Sequence, residues 1–326
     1  LATAAAVTTA ALPRVASADP TPVRVIGFFG AGTLPYWIAG DTGLFAHENL
    51  AVTLTQTPGS VYMFNHLSAG DFDVALAAID NIIAYDEGQG EAPLPNPADF
   101  VAFMGGDGGF LSVWARPEIT TFAGLRGKPI ALDALTTGYA FVMYKMLAQN
   151  GLTFADYTRV AVGGTKQRLD ALLAGSCAAT LLSPPFDLAA KAAGYTLLGS
   201  AVDVIGPYQA TCSVARRTWL AANPATAVSL VRAVVAATAW MYDPAHRTEA
   251  IAILAQHSNI TVDAATPLFA KLIDPKSGVQ PQGALPLPAL RTVLALRNTY
   301  GAPKTPLTDP LKYYDGTYYR RAGGTG

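Results

Sequence analysis

Short apolar runs alternate with longer amphipathic stretches along this chain, and the alternation is written twice in the same order. Residues 23–36, VRVIGFFGAGTLPY, share the layout of residues 128–141, KPIALDALTTGYAF: a β-type run, a turn containing Gly or Thr, then a helix start. LAVTLTQTPGS (50–60) parallels YTRVAVGGTK (157–166), a strand feeding a glycine turn each time. LSAGDFDVALAAID (67–80) parallels LLAGSCAATLLSPP (172–185), where Ala69-Gly70 falls on Ala174-Gly175 as a helix stop before a buried strand. The offset is about 105 residues, so the chain carries a weak internal repeat.

This β-α-β-α-β order predicts two α/β lobes with parallel sheets covered on both faces. Ligands of open α/β sheets bind outside the carboxyl ends of the strands. Those ends are residues 28–33, 58–60 and 79–82 in one lobe, and 133–138, 163–166 and 182–186 in the other. FLSVWARPEI (110–119) and YQATCSVARR (208–217) each carry Ser-Val followed by Ala and Arg. They are expected to be paired crossover strands forming a hinge. Helices are expected near 218–242, 244–257, 262–273 and 285–298, packing back onto the first lobe. The implied organisation is 19–113 for the first part of lobe 1, 114–209 for lobe 2, and 210–326 for the return to lobe 1.

Composition narrows the class. Of 326 residues, 51% are hydrophobic and 14% charged, which excludes a disordered chain. A net charge of −1 with scattered basic residues offers no footprint for nucleic acid. Residues 1–18 read as the remnant of a secretory signal, an Ala-rich apolar run ending in Ala16-Ser17-Ala18. With no Cys beside that site and no later apolar run of about 20 residues, the expectation is an exported, soluble, periplasmic monomer without a lipid anchor. Cys177 and Cys212 are read as buried thiols, although export permits a bridge.

Catalytic motifs find no foothold. Gly30 and Gly32 begin a G-x-G-x-x-G pattern, but Pro35 stands at its third glycine and removes an N–H donor. There is no Walker sequence, no G-x-S-x-G and no S-x-x-K. His47, His66, His246 and His257 lack metal-ligand spacing. The reading is therefore a binding site with no catalytic residue, cofactor or metal. Phe28, Phe29, Tyr36, Trp37, Tyr62, Tyr139, Phe186 and Tyr208 fall in or beside the cleft loops, where lining competes with core packing. Phe29, Trp37 and Tyr139 are the strongest candidates. Gly30, Ala31 and Gly32 would let a ligand approach the backbone. Thr136, Thr137, Gly138 and Tyr139 offer a helix start that serves as an anion seat or as a plain N-cap. Gly59-Ser60 repeats that arrangement from the facing lobe. Asp80-Asn81 and Ser183-Pro184-Pro185-Phe186-Asp187 end the third strand of each lobe. There an Asp either meets a ligand amine or caps the next helix.

Taken together, GLFAHENLAVTLTQTPGS, LSAGDFDVALAAIDNIIAY, TFAGLRGKPIAL, LLSPPFDLAAKAAGYTLL and the terminal LKYYDGTYY resemble the NMT1/THI5-like group of substrate-binding proteins. The resemblance runs from about Val23 to the end. It implies a periplasmic binding protein fold of type II, two α/β lobes joined by two strands. It also implies a solute-binding receptor that hands a small molecule to an ABC permease, as do SsuA/TauA-type receptors. Aromatic-rich, arginine-poor loops favour a small organic anion with an apolar body, or a planar heterocycle, over a sugar or a dicarboxylate. The cysteine-rich motif of the group's pyrimidine synthases is missing here. No arginine lies in the predicted loops, and Arg168 and Lys166 are expected to face solvent. The rival readings are an enzyme of the pyrimidine-synthase type using His66, and a sensor that reports ligand state to a membrane kinase.

Overall fold

The computed structural model describes residues 19–28 and 30–324. The signal-like segment 1–18 and the candidate liner Phe29 lie outside the described residues. Among the described residues ten strands are formed: β1 (Thr21–Gly27), β2 (Leu50–Gln56), β3 (Val74–Ala78), β4 (Phe100–Gly105), β5 (Ser112–Ala115), β6 (Lys128–Leu132), β7 (Tyr157–Ala161), β8 (Ala179–Leu182), β9 (Thr196–Ser200) and β10 (Thr211–Arg216). They build two sheets, ordered β2-β1-β3-β10-β4 and β7-β6-β8-β5-β9.

The internal repeat thus extends to whole sheets. β1 pairs in parallel with β2 and β3, and β6 does the same with β7 and β8. Composition sorts the strands by position. VALAA in β3 and ATLL in β8 are almost uniformly apolar, and they sit at the sheet centres where both faces are covered. LAVTLTQ in β2 alternates and YTRVA in β7 is largely exposed, as edge strands are. The repeated helix stop also has a physical cause. Gly70 and Gly175 hold φ of +89° and +73°, a region where a side chain is strained.

Three expectations need correction. The sheets are mixed, not parallel throughout: β10 runs antiparallel to β3 and β4, and β5 to β8 and β9. The two Ser-Val strands therefore do not pair with each other. Each is inserted next to the edge of the sheet it enters, β10 between β3 and β4 and β5 between β8 and β9; buried on both faces, such a strand shows no alternation that would announce its neighbours. What joins the lobes is a pair of segments just outside those strands. Asp107 donates its N–H to the Thr211 carbonyl at 3.2 Å, and Ala210 donates to the Asp107 carbonyl at 3.1 Å.

The third correction concerns the C-terminal helices. The helix Pro224–Tyr242 covers the first lobe as expected, burying Leu230, Val231 and Val234 against Leu34, Trp37 and Ile38 of the helix Leu34–Asp41. By length and composition it is apolar enough to cross a membrane, and here it buries one face against the first lobe. Burying each such side chain contributes about 1.5–3 kcal/mol. The helix Leu287–Tyr300 instead bridges both lobes. Its Leu290, Val293 and Leu294 belong to one apolar cluster with Ile79 and Ile83 of the first lobe and Phe141 and Met146 of the second. Cys177 and Cys212 are free buried thiols.

Candidate functional site

A cleft of about 740 Å³ opens at the carboxyl ends of both sheets. All six loops marked by the repeat border it. Phe28, Gly30, Ala31, Gly32, Tyr36, Gly59, Ser60 and Asn81 line it from the first lobe. Thr137, Gly138, Tyr139, Ser183, Pro184 and Phe186 line it from the second. The turn after β1 is closed locally, with the Gly30 N–H donated to Thr33 Oγ1 at 3.2 Å. Tyr36 turns its hydroxyl inward, sharing a 2.8 Å hydrogen bond with Ser213 of β10.

Other expected contacts lie elsewhere. Trp37 is buried and stacks on His257, ring centroids 4.9 Å apart, on the far side of the helix that carries Tyr36. Tyr62 lies exposed over His66, which pairs with Asp71 at 2.6 Å outside the cleft. Tyr208 is buried behind the wall, its hydroxyl pressed toward Gly138 without a partner among the described residues.

Asp80 neither meets the cleft nor caps its helix. It is fully buried and takes a two-pronged ion pair from Arg297, Nε to Oδ1 at 2.7 Å and Nη2 to Oδ2 at 2.5 Å. It also accepts the Gly138 N–H. Arg297 donates onward to the Thr136 carbonyl at 3.0 Å and to Gln89 at 3.0 Å. The helix start expected to seat an anion is thus already occupied by a carboxylate of the opposite lobe. That approach requires glycine, because a Cβ at Gly138 would stand 2.5 Å from Asp80 Cβ. Thr136 donates its hydroxyl to Glu91 at 2.7 Å and does not line the cleft. Thr137 is the N-cap of the helix Gly138–Gln149, and its hydroxyl donates to Asp133 at 2.7 Å. Asp187 neither faces the cleft nor caps its helix: it lies in the first turn of the helix Phe186–Ala192, accepts the Leu188 N–H at 2.8 Å and receives Lys271 at 3.1 Å.

Charged groups that the sequence reading left in solvent or did not mark also line the cleft. Arg168 was expected in solvent but is 2% exposed. Its guanidinium donates to the carbonyls of Leu181 and Gly163, with Asp133 3.9 Å away, and desolvation lowers its pKa. Position explains this: three residues into the helix Thr165–Leu173, its side chain reaches back under the glycine turn. Lys166, one of the cleft liners, is half of an exposed pair with Asp170 at 2.8 Å. Asp107, 4% exposed, sits on the crossover between β4 and β5 and lines the cleft with Phe110 and Thr211. Its Oδ1 accepts the Gly109 N–H at 2.9 Å, and burial pushes its pKa up to about 6. The run Gly105-Gly106-Asp107-Gly108-Gly109 is the sequence signal for it, one Asp inside four glycines.

Comparison with known proteins agrees with this architecture. The model of the NMT1-like family matches residues 17–255. Among solved structures, the chain is similar to the alkanesulfonate-binding protein SsuA from Xanthomonas axonopodis pv. citri, bound to MOPS. The TM-score is 0.70 at 19% identity, over 90% of this chain and 96% of that one. It is also similar to the periplasmic nitrate-binding protein NrtA from Synechocystis PCC 6803. There the TM-score is 0.78 at 13% identity, over 94% of this chain and 89% of that one. The desulfurization enzyme DSZB has a TM-score of 0.63 at 13% identity, over 92% of this chain and 98% of that one. No curated protein matches the chain. At these identities the likeness gives the fold: an α/β periplasmic binding protein fold with two mixed five-stranded sheets.

Proposed function

The chain belongs to the NMT1-like family, and on that premise we propose that it is the periplasmic solute-binding receptor of an ABC importer. The observation that carries this reading is the cleft itself: about 740 Å³ between two sheets of equal topology, with the chain crossing between them after β4 and after β9. Such a pair of lobes closes when one solute touches both, so binding selects the closed form that a permease receives. The solute would sit among Phe28, Gly30–Gly32, Tyr36, Gly59, Ser60 and Asn81 on one side, and Thr137–Tyr139, Ser183, Pro184 and Phe186 on the other. Of the two solute classes expected from sequence, a small organic anion and a heterocycle, the lining favours the heterocycle. Aromatic walls are present, while the helix start at Gly138 already holds Asp80.

An enzyme on the same fold is the rival reading, since DSZB is one. The single thiol in the lining argues against it. Cys212 Sγ donates to the Ala77 carbonyl at 3.4 Å, and burial pushes its pKa up, away from the thiolate a nucleophile needs. His66, the sequence-based candidate, stands outside the cleft. Native mass spectrometry of protein purified from its own host tests the proposal. A receptor carries one small molecule per chain, unchanged on storage and released on unfolding. An empty chain that stays empty when offered a small-molecule extract of that host, or a bound molecule that turns over, would count against it.

A further inference from the structure

Pairing off the charges in the cleft leaves one buried group over. Lys166 is taken by Asp170, and Arg168 is committed to the carbonyls of Leu181 and Gly163 with Asp133 beside it. Glu91 is exposed and holds the Thr136 hydroxyl. Asp107 is different. It is almost wholly buried, lines the cleft, and has no cationic partner among the described residues. Hydrogen bonds from Gly109 N–H and Thr211 hold it in place, and its Oδ2 lies over Gly32, where a Cβ would stand 2.8 Å away. A buried carboxylate is ordinarily matched by a cation or neutralised. Nothing in the described chain does the matching, whereas the cleft gives a solute direct access.

We propose that the solute supplies the missing cation: its head is a protonated nitrogen, of the ammonium or amidinium type, seated on Asp107. This rests on the receptor reading and narrows its solute class. The apolar body of the solute lies against Phe28, Phe110 and Tyr139. The buried cation of the lining, Arg168, is committed to backbone carbonyls, and Lys166 is solvent-exposed in a pair with Asp170, so the buried charge left for a solute is negative and the charge preference runs opposite to that named for SsuA and NrtA.

Three probes on one phenyl body test this by calorimetry at pH 7.5: benzamidine, benzamide and benzenesulfonate, against the wild-type chain and Asp107→Asn. Asn keeps an acceptor for Gly109, so a purely structural Asp107 would leave selectivity untouched. The expected result is benzamidine favoured over benzenesulfonate by at least about tenfold, with that preference lost in Asp107→Asn. Benzenesulfonate preferred by the wild type, benzamidine affinity unchanged in the variant, or no binding of benzamidine would each overturn the proposal. An anionic solute carried from the host would overturn it too, while leaving the receptor reading intact. Should the variant fail to fold, wild-type pH dependence replaces it. Benzamidine stays charged, and its affinity should fall about tenfold per pH unit below about 6. The titratable groups facing Asp107 are Tyr139 and Cys212, both pushed up by burial and neutral throughout that range.

Discussion

Asp107 acts on stability and on binding with opposite signs. Its pKa in the folded chain is pushed from the ordinary 3.8 up to about 6, so the folded form holds the proton more tightly than the unfolded form. Its stabilising contribution is therefore complete below about pH 4 and is lost as pH rises through about 6. Asp86, pushed up to about 6 as well, contributes in the same direction, so the variant difference is the quantity to read. Unliganded Asp107→Asn is expected to exceed the wild type in stability at pH 7.5, by up to about 3 kcal/mol. The two should converge near pH 4 in urea titrations. Arg297 poses the reverse case. Removing it leaves Asp80 buried and unpaired and frees the Thr136 carbonyl, so Arg297→Ala should cost about 3–5 kcal/mol. Replacing Asp80 and Arg297 together with apolar side chains of similar volume should regain most of that loss in the same titration.

Among the elements, the helix Gly138–Gln149 decides how closely the lobes meet. Its first residue lies against Asp80 and Tyr208, with a hypothetical Cβ 2.5 Å from the one and 2.9 Å from the other's hydroxyl. Gly138→Ala should force that contact apart, destabilising the chain by about 1–3 kcal/mol and weakening solute binding. Denaturation and calorimetry on the same sample would separate the two effects. Much of this level was legible beforehand. The repeat located the six loops at the strand ends, because turns and buried strands leave local marks such as Ala69-Gly70 and Ala174-Gly175. Long-range partners leave none. Asp80 and Arg297 are 217 residues apart, and nothing local in either says that they meet. Arg168 misled because a basic residue in a polar helix turn looks solvated until the backbone carbonyls it caps are in place. The partners of β5 and β10 were likewise invisible, since strands buried on both faces show no alternation that marks their neighbours.

For the molecule as a whole, the two lobes share one plan, and each receives its reversed strand from a crossover. Asp107 sits on one crossover and is hydrogen-bonded to the other, so a group that reads the solute is also part of the joint that bends. The helix Leu287–Tyr300 limits that bending from behind, with Tyr300 packed on Phe141 and Phe154 at ring-centroid distances of 6.1 and 6.3 Å. The chain should therefore move as a clamp, opening at the cleft mouth while this rear contact holds. Closure around a solute is the central claim, and small-angle X-ray scattering measures it most directly. Protein stripped of solute by unfolding and refolding should show a larger radius of gyration than the same protein after its native solute is returned, at one equivalent per chain. An identical radius in both states, with the solute demonstrably bound, would contradict the account.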